Sequence, residues 1–339
     1  MFVDMTHSNP FFELIQVAMG QRQCLEQGPS DEEWQQIHYM AQRQGLQGIC
    51  YRGIERLFDF GLRIPQDLSI DWMAAAESIS EENQRLQQRC ARLQRDMAAA
   101  KVRLSFLNEV GSLCFYPEEL QPLCEPAVID VFVDGSMNKV IGYAKKKSRK
   151  AVVYDYKFLT LKLGGGVKMR ARGRAEMCAN ILRNRRLQKW LRRNHNYCFL
   201  TTDGLTRPTA TMMAFLMMLH LQQCFLYDGI TMRQLLDYYY VLRRLEGRFR
   251  PFRDGVTINQ LFKTFGLTKF AQGMMWVMQE AFGLSQDYMP CEMSRSDGEY
   301  IIDVVMSGKR NYLSLLLKYP GDILWYPVWL TWHAIWRNV

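Results

Sequence analysis

Val128-Ile129-Asp130-Val131-Phe132-Val133 is a β-branched run that ends at the turn pair Asp134-Gly135. Its carboxylates are the first residues with chemical potential. Alternate residues of a strand project from one face, so Asp130 and Asp134 share a face but stand about 13 Å apart. A single Mg²⁺, whose oxygen ligands lie at about 2.0–2.1 Å, cannot be bridged by both. Further on, Lys168, Arg170 and Arg172 alternate with Val167, Met169 and Ala171, with no acid on either face. Such a basic row can hold a phosphate or another anion. It can also neutralise a carboxylate, with the Lys168 ammonium paired to Asp130, or simply form a solvated strand face.

Other chemistries find less support. The nine cysteines include no Cys-x-x-Cys pair, and the five histidines no His-x-x-x-His pair, so a zinc ribbon or thioredoxin-like site is not expected. The cysteines read as small buried residues of a cytoplasmic protein. Gly164-Gly165-Gly166 follows a strand with no helix after it and reads as a hairpin turn rather than a phosphate loop. The net charge of +9 is unevenly spread. Lys139 to Arg193 holds 18 Lys and Arg against only Asp155 and Glu176, whereas the remainder carries 25 basic and 32 acidic residues. Lys145–Lys150 and Arg183–Arg193 are basic enough for phosphate contacts, which keeps nucleic-acid binding as a secondary reading. No helix-turn-helix, zinc-finger or RNP motif accompanies them, and the 145–150 run reads as a solvated hairpin tip.

The elements that must position these residues fall in three zones. Residues 1–98 read as a helical domain. Asn9-Pro10 caps a first helix, and Ser30 with Glu33 forms a capping box for a second. Leu86, Cys90, Leu93 and Met97 place an apolar stripe on a long third helix, expected to dock on a domain rather than form a coiled coil. Residues 99–200 read as a small α/β unit, with strands over 103–107, 128–133, 139–144, 151–163 and 167–171. Residues 201–339 return to helix, with a break near Asp228-Gly229, and Arg233 and Asp237 can pair across one turn as an exposed ion pair. No signal peptide or uncharged apolar run of about 18 residues is read. Trp325, Trp329, Trp332 and Trp336 form a stripe that packs on the core in one reading and meets a membrane surface in another.

Several segments together resemble a bacterial nucleotidyltransferase family of the nucleotidyltransferase-fold superfamily. They are Leu107-Asn108-Glu109-Val110-Gly111, Tyr116-Pro117, the 128–133 strand, the basic Asn184–Trp190 helix and Asp228–Tyr238 with its Gly-x-x-x-Arg-Gln-x-x-Asp spacing. The opening Pro10–Met19, the Asp31–Trp34 helix start and the stretch from Lys318 to the end are also similar, so the likeness spans nearly the whole chain.

The resemblance implies an α+β protein, with a small nucleotidyltransferase-like palm sheet flanked by N- and C-terminal helical domains. It implies Mg²⁺-dependent transfer of a nucleoside monophosphate from an NTP, with two carboxylates on one strand and a third from a neighbour. A partner enzyme in polysaccharide assembly is implied as well. This chain departs from the pattern. The family's Gly-Asp-Ile-Asp falls on Ala127-Val128-Ile129-Asp130, its Leu-Lys-Gly on Leu107-Asn108-Glu109, and the expected third carboxylate on Lys168. Asp130 is left as the remaining metal-ligand position, with Asp155 and Glu109 as possible replacements from other strands. Lys168, Arg170 and Arg172 become the wall of a remodelled anion pocket. The expectation is a catalytically impaired nucleotidyltransferase-like protein. Its alternatives are an active enzyme with rearranged carboxylates and a non-catalytic anion-binding, nucleic-acid-binding or scaffold protein.

Overall fold

A computed structural model describes residues 9–58, 60–125, 128–147, 152–154, 158–163, 167–194, 197–245, 251–328 and 331. The fold is α+β. The first helix, Pro10–Ala18, starts where Asn9 Oδ1 accepts from the Phe11 amide at 3.0 Å. The second, Asp31–Gln44, carries the expected reciprocal box: Ser30 N–H donates to Glu33 at 2.8 Å and Glu33 N–H to Ser30 Oγ at 3.3 Å. Gly45, at φ +69°, ends it in the left-handed conformation that glycine adopts without penalty.

Helices from both ends of the chain share one hydrophobic core. Phe11, Trp34 and Ile49 pack in the same cluster as Phe215, Phe225, Phe262 and Phe270. Polar ties cross it. Buried Gln44 donates to the Val305 carbonyl at 3.1 Å and accepts from the Met232 amide at 2.9 Å. The helix Ala210–Gln223, continued by a π-turn over Cys224–Asp228, is long and apolar enough to cross a membrane, but it lies mostly buried in this core.

A 34-residue helix, Gln66–Ala99, joins this core to a second one. Its start buries Leu68 and Trp72 in the first, and its stripe of Leu86, Cys90, Leu93 and Met97 lies against the sheet in the second. The stripe thus docks on a domain, as its spacing predicts.

The sheet contains β1 (Arg103–Phe106), β2 (Ile129–Asp134), β3 (Val152–Tyr154), β4 (Leu159–Lys162) and β5 (Lys168–Arg172), in the order β1-β2-β5-β4-β3. β2 runs antiparallel to β1 and parallel to β5, with Asp130 opposite Arg170. β4 and β5 pair antiparallel on either side of Gly164–Gly166, which lie outside the described residues. Ile129, Val131 and Val133 face the long helix, while Phe132 packs toward the larger core. Asp130 projects on the Phe132 side by strand alternation.

One expected strand is a helix. Met137–Lys147 is α-helical, with Val140 and Ala144 buried against the sheet. Met137, Val140, Ile141 and Ala144 recur at helical spacing, and the β-branched pair Val140-Ile141 masks that period. A short hairpin, β6 (Cys198–Leu200) with β7 (Thr206–Pro208), closes the far end of the sheet region.

Gly48, in the helix Gln47–Phe58, permits the close approach of the segment that precedes β2: a Cβ there would collide with the Leu123 carbonyl oxygen. Gly48→Ala is therefore expected to cost about 1–3 kcal/mol. Gly28→Ala, where a Cβ meets nothing within 4 Å, should stay within about 0.5 kcal/mol of the parent in the same denaturant titration.

Candidate functional site

Asp130 is 2% exposed, and both of its carboxylate oxygens are engaged. Arg172, at the end of β5, donates Nε to Oδ1 at 2.7 Å and NH2 to Oδ2. This is a bidentate fork, the strongest geometry open to a guanidinium and a carboxylate. Asn108 Nδ2 donates to Oδ2 at 2.7 Å. Asn108 opens the short helix that follows β1, with φ +48°, a left-handed value that Asn tolerates better than most residues. The Leu107 amide donates to the Asp130 carbonyl at 2.8 Å, which holds this turn against β2.

The network continues beyond Arg172. Its NH1 donates to Glu176 Oε2 at 2.9 Å, and Arg172 and Glu176 are as buried as Asp130. Gln223 donates to Glu176 Oε1 at 3.2 Å and also to the Met177 carbonyl. Gln188 holds the Glu176 carbonyl at 2.8 Å, and His220 Nδ1 stands 3.7 Å from Oε2. Burial alone would lower the Arg172 pKa, but Asp130 and Glu176 outweigh it and raise it, so the guanidinium stays charged.

This network forms one wall of a cavity of about 620 Å³ between the sheet and the C-terminal helices. Arg170 lines it, half-buried, with its guanidinium 4.8 Å from the centre of the Phe158 ring. Arg233 also lines the cavity and forms a second buried pair, with Asp237 at 3.2 Å, on the helix Met232–Arg243. Tyr116 donates to Asp237 Oδ1 at 2.8 Å, and Arg233 lies 5.5 Å from the Tyr116 ring centre. Burial pushes the Asp237 carboxyl up to about 7, against the pull of Arg233. Glu109 and Glu125 also line the cavity. Glu109 accepts from Gln234 at 3.3 Å, and burial raises the Glu125 carboxyl above its ordinary range.

Of the residues singled out in the sequence, Asp130, Arg170 and Arg172 come together here. The partner of Asp130 is Arg172, not Lys168. In the parallel register Asp130 faces Arg170, so Arg172, one alternation further on, reaches back with its long fork. Lys168 is exposed at the start of β5, opposite Lys162, and does not line the cavity. Asp134 pairs with Arg103 at 2.6 Å, well exposed. Glu109 lies on the cavity wall, while Asp155 falls outside the described residues, as do Trp329, Trp332 and Trp336. The Arg233–Asp237 pair forms as the one-turn spacing predicts, but it is buried rather than exposed. On the basic helix Ile181–Arg193, Arg185, Arg186, Lys189, Arg192 and Arg193 face solvent.

The sequence reading gave Asn108, Glu176 and Tyr116 no role as partners of buried charges, and it did not single out Gln223. Glu176 did leave a signal: it is one of only two acids in the basic stretch, and an isolated acid there points to a buried partner.

The Mg²⁺ implied by the resemblance does not fit these residues. Asp130 has both oxygens occupied by Arg172 and Asn108, and the network's second carboxylate, Glu176, sits on the far side of that guanidinium. Compared with known proteins, the chain matches no family model, no curated protein and no solved structure.

Two outcomes follow from the buried pairs. Arg172→Met leaves Asp130 and Glu176 buried without their cation and should cost about 3–5 kcal/mol in chemical denaturation, with Arg172→Lys in between because an ammonium cannot fork. Folded Asp237 retains a proton that the unfolded chain releases, so its contribution to stability is present at low pH and is lost as pH rises from 3.8 to about 7. Asp237→Asn should remove that slope, whatever its absolute stability, when Tm is compared at about pH 5 and about pH 8.

Proposed function

We propose that this chain is a nucleotidyltransferase-like protein, impaired in metal-dependent transfer, whose cavity holds an anionic ligand such as a nucleotide or another phosphate compound through arginine rather than metal. The observation that carries this reading is the buried fork of Arg172 on Asp130. A carboxylate held in this way cannot offer its oxygens to a cation unless a charge-assisted bidentate pair is first broken within a desolvated site.

The surroundings support the same reading. Asp130 sits on an inner strand paired with β1, whose following short helix begins at Asn108, the position where the resemblance calls for Lys-Gly. On the neighbouring strand Arg170 stands opposite Asp130, two residues beyond Lys168, where the resemblance calls for a further carboxylate. The volume of about 620 Å³ lies within the range of small-molecule pockets. Arg170 sits over the Phe158 ring, and both line the cavity, where an arginine is suited to a phosphate.

Calorimetric titration with ATP, GTP, CTP and UTP, in EDTA and again in Mg²⁺, tests the proposal. Binding of one or more nucleotides should be equal in the two conditions and about tenfold weaker in Arg170→Ala, the loss of one charged hydrogen-bonding group. Tight nucleotide binding that requires Mg²⁺ and disappears in Asp130→Ala would show an intact metal site and overturn the proposal.

A further inference from the structure

The segment from Arg172 to Glu176 separates two cavities. Its ends line the one already described, while Gly173, Arg174 and Ala175 line a second chamber of about 400 Å³. We propose that this second chamber is a binding site for a compact amphipathic anion: an aromatic or short acyl body bearing one carboxylate, sulfonate or phosphate.

The chamber lies between the sheet, the basic helix Ile181–Arg193, the start of Ala210–Gln223 and the β6–β7 hairpin. Its apolar lining includes Leu107, Phe132, Leu191, Met212 and Leu216. Here an apolar cleft of small-ligand size opens to solvent beside a well-packed core. That shape and lining select the body of the ligand.

Charge selects its head group. Arg103, Arg174 and Arg192 line the chamber against one carboxylate, Asp134, and Asp134 is already bonded to Arg103 at 2.6 Å. Among the described residues Arg174 forms no ion pair, and its NH1 reaches only the Met177 sulfur, at 4.0 Å. A cationic ligand is repelled by this set. A neutral apolar one gains nothing from Arg174, whose donors stay with solvent. Ser105 and Cys198, 3.2 Å apart, add small polar groups to the wall without adding charge. The excess basicity of residues 139–193 thus serves two chambers on one sheet face, a polar one through Arg170 and an apolar one through Arg174.

The test is calorimetric titration of the full chain with 2-naphthoate and with octanoate, set against uncharged 2-naphthamide. At least one anion should bind at a single saturable site, at least tenfold more tightly than the amide. Arg174→Ala, a change at an exposed residue, should weaken it about tenfold, the loss of one charge-assisted contact. Leu216→Trp should abolish it by filling the chamber. Arg170→Ala, across the dividing segment, should leave it unchanged, which separates this result from nucleotide binding in the first cavity. The proposal fails if neither anion binds the folded wild type. It fails equally if the amide binds as well as the acid, or if binding is lost in Arg170→Ala and kept in Arg174→Ala.

Discussion

A guanidinium buried between two carboxylates is the constraint on which the rest of this structure depends. Taking Arg172, Asp130 and Glu176 out of water together is costly, and the cost is offset only when nearly every oxygen and N–H finds a partner. Those partners come from four places: the turn at Asn108, the end of β5, the helix Ala210–Gln223 through Gln223, and the basic helix through Gln188. Each must therefore keep its position to within a hydrogen-bond length. The network ties the sheet to the C-terminal helices by charge, where the larger core ties the two ends of the chain by apolar packing.

The same constraint shapes the cavity chemistry. Two buried arginines, Arg172 and Arg233, line the cavity, Arg172 held by Asp130 and Glu176 and Arg233 by Asp237. Arg170 differs: it is half-buried, stacked on Phe158, and directed by strand alternation to the side that carries Asp130. The reading of the site as an anion pocket rests on this division between cavity cations paired with buried acids and Arg170, which among the described residues pairs with no acid.

Elements held by local rules were the most legible. Asn9-Pro10 and the Ser30–Glu33 box marked helix starts because capping bonds span only a few residues. The stripe Leu86, Cys90, Leu93, Met97 was readable because helical period places it on one face. Met137–Lys147 was misread where local rules conflict: β-branched residues favour a strand, the spacing of the apolar residues favours a helix, and packing of Val140 and Ala144 on the sheet decides. The pairing of Arg233 with Asp237 followed from one-turn spacing, but its burial did not, because that depends on Tyr116, which lies 121 residues away in the chain.

Most strand and helix positions (Met137–Lys147 excepted), the caps at Asn9 and Ser30, the basic middle stretch and the isolation of Asp130 from a second strand carboxylate follow from residue order, since each depends on neighbours within a few positions. Which cation meets Asp130 does not. Arg172 lies 42 residues away, and it displaces Lys168 only because β5 runs parallel to β2 in one register. A shift of that register by two residues would keep the same face and exchange one basic side chain for the next. Register is set by how Val131 and Ala171 fill the core beneath the sheet, and by Glu176 waiting beyond the strand end. Those are long-range packing and desolvation terms, and they arise only once the chain has closed.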